Sequence, residues 1–225
     1  MRVEFKSSIP LNLDPYETSI VEITGAVKLT VEDDSEIEAA TMSLYSVDYK
    51  SIQETGERDF FQIMDAISHS LMEISNVFYN RHGLKVKFAE DQFISSPNLL
   101  HVENVHVKKD FRYIGMGRIM FDRAMRLFGR SHGIITVNPY PLQFMGNDTD
   151  MDFCDLPINE AAATKKLREV YESWGFYKIA GSKYMFQNSD DWFSKNPYPL
   201  GLSYEKISQA EKILHGDKKV LSFTR

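Results

Sequence analysis

The chain has 225 residues, of which 43% are hydrophobic and 26% charged, and its formal net charge is −6 at pH 7. These values are ordinary for a globular protein, and the length suffices for a substantial core. Proteins that bind nucleic acid usually carry a basic stripe, and this acidic chain shows none. The composition therefore argues against a nucleic-acid partner.

Cysteine content and apolar runs indicate the compartment. The single cysteine, Cys154, excludes an internal disulfide and fits a reducing environment. The first eighteen residues lack the apolar run of a signal peptide, and no apolar run approaches the length that spans a bilayer. We expect a cytoplasmic protein without a membrane partner, and a homodimer is left open.

The first half of the chain predicts two strands and a helix. Residues 19–31 alternate apolar and polar side chains, as in a half-buried strand. A second strand follows over 37–49, bent near Ala39 and Ala40, where the alternation slips. From Glu57 the apolar residues recur every three or four positions, which predicts one long amphipathic helix ending near residue 83.

The second half predicts alternating strands and helices. A strand over 99–107 precedes a helix that starts near Gly117 and turns four apolar side chains inward. These four are Met120, Ala124, Leu127 and Phe128. The later elements are a strand at 133–139, a helix at 159–174, a closing hairpin at 175–188 and a helix at 204–216. The pattern predicts one mixed α/β domain over 1–225, with its core at about 19–188 and a C-terminal extension at 189–225.

A glycine turn joins the strand at 99–107 to the next helix. Arg112, Gly115 and Gly117 have the spacing R-x-x-G-x-G, and Arg118 follows in the first helical turn. Glycine lets a backbone approach a phosphate closely, and a helix N-terminus offers free N–H groups and a partial positive charge. The turn therefore predicts a pyrophosphate cradle.

Three phosphate sites compete for this turn. A Walker loop requires G-x-x-x-x-G-K-S/T, which is absent. A dinucleotide fingerprint requires G-x-G-x-x-G early in the fold, but Met120 stands at the last glycine and the motif lies in mid-chain. The third candidate is the pyrophosphate of coenzyme A.

Two stretches carry a resemblance to a known family. The sequence VHVKKDFRYIGMGRIM resembles the signature of the GNAT superfamily of acyl-CoA-dependent N-acetyltransferases, in which Arg/Gln-x-x-Gly-x-Gly/Ala follows the fourth strand. The sequence LREVYESWGFYKIAG is similar to a later helix-to-strand segment, with matches at Tyr171, Gly175 and Phe176. The resemblance covers about 19–188. It implies an α/β (α+β) fold with a mixed, mainly antiparallel sheet flanked by helices, whose fourth and fifth strands splay apart.

The resemblance also implies a function and a cofactor site. An acetyl group would pass directly from acetyl-CoA, as co-substrate, to a primary amine, without a metal. The alternatives are a non-catalytic acyl-CoA-binding sensor and a phosphate-binding protein without acyl chemistry. Pantetheine would lie between the splayed strands, and the pyrophosphate would take the N–H groups of 112–118. The implied cofactor-binding residues are Val105, His106, Val107, Arg112, Tyr113, Ile114, Gly115, Met116, Gly117 and Arg118.

The chain departs from the family pattern at one cofactor contact. The asparagine that often stands seven residues before the tyrosine is Thr164 here, and the alanine four before it is Leu167. Asn138 is an alternative contact to pantetheine, or simply a polar strand end beside Pro139.

Catalytic residues follow from the same resemblance. Tyr171 matches the family's general acid, although it could be only a core aromatic on a helical stripe. His101 and Glu103 lie two residues apart on the strand at 99–107 and therefore share one face of it. Either could serve as the base, or both could only line the splayed strands. Direct transfer needs no enzyme nucleophile, so Cys154 need not take part.

An acidic segment runs from Asp148 to Asp155. Its D-x-D-x-D spacing resembles a calcium loop, but Phe153 and Asn159 stand where that loop requires glycine and glutamate. We therefore predict no metal site here. The segment is either a solvated loop or one that attracts a cationic acceptor.

Overall fold

The computed structural model describes residues 2–8, 19–30, 34–55, 59–89, 94–145 and 156–197. Its strands are β1 (Arg2–Ser8), β2 (Ile20–Thr30), β3 (Glu36–Val47), β4 (Tyr79–Asn80), β5 (Gly83–Leu84), β6 (Leu99–Val107), β7 (Ile134–Val137), β8 (Tyr177–Lys178) and β9 (Met185–Asn188). Its helices are α1 (Tyr49–Thr55), α2 (Phe60–Ile67), α3 (His69–Phe78), α4 (Val86–Ala89), α5 (Met116–Phe128), α6 (Glu160–Ser173) and α7 (Ser189–Lys195).

Seven of these strands form one mixed sheet. Their order is β1-β2-β3-β6-β7-β9-β8, while β4 and β5 form a separate two-stranded ribbon. Neighbours in the sheet are antiparallel except β6 and β7, which are parallel. The expected fold class, a mainly antiparallel sheet flanked by helices, is confirmed.

The two parallel strands part at mid-length, as expected for splayed strands. Only the first four residues of β6, Leu99 to Val102, pair with β7. β6 continues to Val107, whereas β7 ends at Val137 and is followed by Asn138 and Pro139. Proline has no N–H to donate to a ladder, which favours the end of pairing there. A gap therefore opens between the far half of β6 and the chain after β7.

Two bulges interrupt the sheet. Val27 pairs with Ala40 and Lys28 with Glu38, so Ala39 is the extra residue, which confirms the bend predicted there. A second bulge was not predicted. Ser43 pairs with Asn104 and Leu44 with Val102, so Glu103 is the extra residue in β6. This bulge lies where β6 leaves β7.

The sheet separates two apolar cores. On one face, Leu100 and Val102 of β6 pack with buried residues of α5, α6 and α7, among them Met120 and Trp192. On the other face, Leu99 packs with buried residues of α1, α2 and α3. Successive strand residues serve opposite faces, as the period of two requires. None of the helices in the described ranges combines the length and apolarity needed to cross a bilayer.

Two sequence expectations are wrong, and a third is not tested. The single helix from Glu57 is wrong, because Ser68 takes an extended conformation (φ −160°, ψ 135°) and divides it into α2 and α3. The apolar residues of α2 and α3 pack on the same core, so their spacing of three or four positions continues across the break. Leu127 is 64% exposed rather than inward, because α5 packs along Met116, Met120 and Ala124 instead. The helix predicted at 204–216 lies outside the described residues.

Several elements had no sequence prediction. These are β1, α1, α4 and α7, whereas the β4–β5 ribbon occupies the end of the predicted long helix. β1 pairs with β2 along its whole length, so the sheet extends beyond the expected core at its N-terminal side. At the other end, α7 contributes the fully buried Trp192.

Candidate active site

The gap between the splayed strands is a cavity of about 370 Å³. Its walls are the far half of β6, the turn into α5, the chain after β7 and the inner face of α6. The expected cofactor-binding residues that line it are Val105, His106, Val107, Arg112, Tyr113, Gly115, Met116, Gly117, Arg118 and Asn138. Ile114 is not among the lining residues and packs against the adjacent apolar core.

The glycine turn has the backbone geometry of a helix-entry site. Gly115 precedes α5 in the left-handed region (φ 91°), where a side chain would be strained. The first intrahelical bond runs from the Ile119 amide to the Gly115 carbonyl, at 3.1 Å. The amides of Met116, Gly117 and Arg118 therefore precede the hydrogen-bonded part of α5, and their positive end favours an anion.

The amide of Arg112 is already engaged. It donates to the Lys109 carbonyl at 3.2 Å, which closes a short 3₁₀ turn. The Arg112 side chain also holds the loop, because its Nε donates to the Val107 carbonyl at 3.0 Å. Arg112 therefore fixes the turn to the end of β6.

Arg118 places a second positive charge in the cradle wall. Its guanidinium lies 5.8 Å from the rings of Phe121 and Trp174, and its Nη2 donates to Asn196 Oδ1 at 3.4 Å. Burial lowers the pKa of Arg118, and nearby Asp122 opposes that shift. The guanidinium of an arginine is not deprotonated in proteins, so the group stays charged at neutral pH.

Gly117 lies in a narrow space between α5 and β6. A Cβ atom there would stand 3.4 Å from Trp174, 3.5 Å from Val105 and 3.6 Å from Val107. These are ordinary contact distances, so a methyl group fits. A longer or charged side chain would have to enter the cavity or displace these neighbours.

Tyr171 is both a core aromatic and a cavity residue. Its ring packs edge-on against Trp174 and Phe176, at centroid distances of 5.1 Å and 5.7 Å, and the residue is 5% exposed. It also lines the cavity. Burial raises the pKa of Tyr171 well above its ordinary value, so the phenol keeps its proton. A protonated phenol at the cavity wall can donate a proton or a hydrogen bond.

Glu103 and His101 take different positions. Glu103 lines the cavity, whereas His101 is fully buried and is not among the lining residues. The His101 Nε2 atom lies 2.9 Å from Glu103 Oε2, and the His101 Nδ1 atom lies 2.9 Å from the Thr136 hydroxyl. The contact between Nε2 and Oε2 is close enough for electrostatic attraction, but Nε2 makes no hydrogen bond to any residue that the structure describes. The close approach of His101 is the main reason that the pKa of Glu103 is lowered, and the hydroxyl of Ser70 contributes to the same shift.

Sequence reasoning missed a group of polar residues beside Glu103. Ser70 donates its hydroxyl to Glu103 Oε2 at 2.7 Å. Nearby on α3, Glu73 accepts from the Tyr184 hydroxyl at 2.8 Å and pairs with Lys183 at 2.6 Å. These residues come from α3 and from the chain before β9, and no local motif marks them. The predicted continuous helix also concealed the position of Ser70.

The acidic segment predicted near the acceptor, with Cys154, lies outside the described residues. Its flanks are described: Gln143 Nε2 donates to the Pro157 carbonyl at 3.0 Å, and both residues line the cavity. Within the described ranges, no cluster of three His, Cys, Asp or Glu side chains could hold a metal ion.

Comparisons with known proteins found structural likenesses only. No protein-family model and no curated protein matches the sequence. The chain is similar to the KacTA–DNA complex (TM-score 0.40, 10% identity, 78% of this chain and 72% of that chain) and to a tyrosine-to-phenylalanine mutant of KacT (0.42, 10%, 87% and 99%). It is also similar to a tyrosine-to-phenylalanine mutant of the AtaT toxin bound to the C-terminus of the antitoxin AtaR and acetyl-CoA (0.41, 6%, 88% and 100%). At such low TM-scores these likenesses carry no argument about activity, and the fold class follows from the sheet order and its splayed strands.

Proposed function

We propose that the protein is an N-acetyltransferase that moves an acetyl group from acetyl-CoA directly to a primary amine. The observation that carries this proposal is that both GNAT-like sequence motifs meet at one cavity. The glycine turn before α5 forms one wall, Tyr171 of α6 forms another, and Glu103 of β6 lies on a third. These segments are separated in the chain, so their meeting was not imposed by sequence proximity.

The splayed strands supply the acetyl-CoA site. Beyond Val102, β6 has no pairing with β7, so Val105 to Val107 can bond pantetheine as an added strand would. The amides of Met116, Gly117 and Arg118 would take the pyrophosphate, and the Arg118 guanidinium would add to its binding. Bound acetyl-CoA supplies the thioester, and the protein supplies position and proton transfer.

Glu103 and Tyr171 carry out the proton transfers of the reaction. A cationic amine first passes one proton to Glu103, directly or through a water, and the neutral nitrogen then forms a bond to the thioester carbon. The C–S bond breaks, the Tyr171 phenol gives a proton to the leaving sulfur, and the second proton of the nitrogen passes to the phenolate. The lowered pKa keeps Glu103 ionised at neutral pH, so it also attracts a cationic amine.

Two measurements test the proposal together. A panel of small amines, peptides and proteins is screened for release of free coenzyme A thiol, and the Tm is compared with acetyl-CoA and with ATP. We expect thiol release with at least one amine and a rise in Tm with acetyl-CoA that exceeds the rise with ATP. Stabilisation without turnover across the panel would favour the acyl-CoA sensor, and equal stabilisation by ATP would favour a general phosphate site.

Glu103→Gln tests the base. The amide keeps the shape of the side chain but cannot accept the proton, so the rate should fall by roughly a hundredfold or more at pH 7. The deficit should shrink at pH 9, because more of the amine is then neutral before it binds. The measurement is kcat/KM against pH with one amine of the panel.

Glu4→Gln is the matched control for this change. Glu4 of β1 has the same side-chain exposure as Glu103, 28%, but it pairs with Lys28 and does not line the cavity. We expect its loss to affect stability more than rate. A Glu103→Gln deficit that is equal at pH 7 and pH 9 would show that Glu103 is not the base.

A further inference from the structure

At the break between α2 and α3, the side chain of Ser68 does not cap the helix that follows it. Ser68 stands at the start of α3 with extended dihedrals, where a serine hydroxyl normally accepts from an amide of the first turn. Its hydroxyl makes no such bond. The Ser68 Oγ atom instead lies 2.7 Å from the Ser70 Oγ atom.

The two serines form a directed chain of hydrogen bonds. Ser70 has one hydroxyl proton, and it donates that proton to Glu103 Oε2 at 2.7 Å. By distance alone, either hydroxyl could be the donor between Ser68 and Ser70. Because the single proton of Ser70 already goes to Glu103, the Ser68 hydroxyl must donate to Ser70. The chain ends on the carboxylate that lines the cavity.

The same contact brings the N-terminal turn of α3 against Glu103. Ser70 is the second residue of this ten-residue helix. The partial positive charge of a helix N-terminus favours a nearby anion. Both the hydroxyl and the helix end therefore stabilise the ionised form of Glu103.

Ser70 and His101 both contact one oxygen of the carboxylate, Oε2, at 2.7 Å and 2.9 Å. Only Ser70 makes a hydrogen bond there, because His101 Nε2 has none to the residues that the structure describes. The hydrogen bond from Ser70 restricts rotation of the carboxylate. Oε1 is thus the oxygen left for a substrate proton.

We propose that Ser70 is a positioning residue for the base Glu103, which it orients and keeps ionised. The break at Ser68 makes this contact, because it lets α3 start against the bulge in β6. The inference deepens the proposed function and depends on it for its consequence in catalysis. The contact itself can be tested without any reaction.

Other groups near Glu103 also affect its charge. They are His101 on β6, Tyr45 on β3, and Lys183 and Tyr184 before β9, with Glu73 on α3 next to the last two. A useful pair of variants must leave all of them unchanged. Ser70→Thr and Ser70→Val meet this condition, because threonine and valine have nearly the same shape. Valine carries a methyl group where threonine carries the hydroxyl.

The first measurement is an NMR titration of the Glu103 carboxyl carbon in 13C-glutamate-labelled protein, assigned with Glu103→Gln. Hydrogen-bond donation favours the ionised form, so its removal must raise the midpoint. We expect Ser70→Val to raise the midpoint by about one pH unit and Ser70→Thr to leave it near that of the parent. Equal midpoints in the two variants would overturn the proposal.

The second measurement is the acid limb of kcat/KM with an amine of the panel. In Ser70→Val the limb should move up by the same amount as the midpoint, so that the rate is lost at low pH and largely recovered at high pH. Ser70→Thr should restore the parent profile. A midpoint that moves while the acid limb stays would show that Ser70 has no part in the reaction. If the parent acetylates no amine, the proposed function fails, while the titration still decides whether Ser70 controls Glu103.

Discussion

Gly117→Asp is expected to abolish the rise in Tm that acetyl-CoA produces in the parent protein. The new carboxylate would stand at the first turn of α5, where the amides of Met116, Gly117 and Arg118 would receive the pyrophosphate. Loss of two hydrogen bonds to a charged group costs about 1.5–3 kcal/mol each, so Kd should weaken by roughly a hundredfold or more. Repulsion between like charges would add to this loss.

Gly117→Ala is the matched control. A methyl group at this position meets Trp174, Val105 and Val107 at ordinary contact distances, so the alanine variant should fold and bind acetyl-CoA. The Tm of each variant without ligand separates loss of binding from loss of folding. If a folded Gly117→Asp protein binds acetyl-CoA as the parent does, the glycine turn is not the pyrophosphate cradle.

Tyr171→Phe is expected to lower kcat by roughly ten- to a thousandfold while acetyl-CoA binding barely changes. The change keeps the ring and its packing against Trp174 and Phe176, and it removes only the phenolic proton. Because burial raises the pKa of Tyr171, the parent phenol stays protonated well into the alkaline range. Ionisation of Tyr171 should therefore not limit kcat at moderately alkaline pH.

Tyr79→Phe controls for the loss of a buried tyrosine hydroxyl. Tyr79 is as buried as Tyr171, but it belongs to the opposite core, and its hydroxyl donates to the Pro97 carbonyl. Its loss should cost about 1–2 kcal/mol of the free energy of unfolding and leave kcat unchanged. A Tyr171→Phe variant with the parent kcat would return Tyr171 to a purely structural role.

The fold class and one wall of the site were predictable from the sequence. The alternation in β2 and the slip at Ala39 indicated a bent strand pair, because period two and its interruption are properties of neighbouring residues. The glycine turn before α5 could be predicted for the same reason. Gly115 needs its left-handed conformation for its own local geometry, whatever packs around it.

The rest depended on contacts between distant segments. Apolar periodicity shows which face of a helix is buried, but it does not show a break such as Ser68 when both halves pack on the same core. Sequence also left His101 and Glu103 equivalent as candidate bases. In the structure, the pairing of β6 with β3 places a bulge at Glu103. Glu103 lines the cavity, whereas His101 is buried away from it.

The sequence by itself determined the strands β2, β3 and β6 to β9, the helix-entry turn and the residue types available for chemistry, because each of these depends on a few adjacent residues. Only the tertiary structure decided which of those residues meet. Ser70 and Glu103 are 33 positions apart, and Tyr184 lies 111 positions from its partner Glu73. Such contacts form only when α3 and the last strands pack on the same sheet face, and the free energy of that packing comes from the whole core rather than from any local pattern.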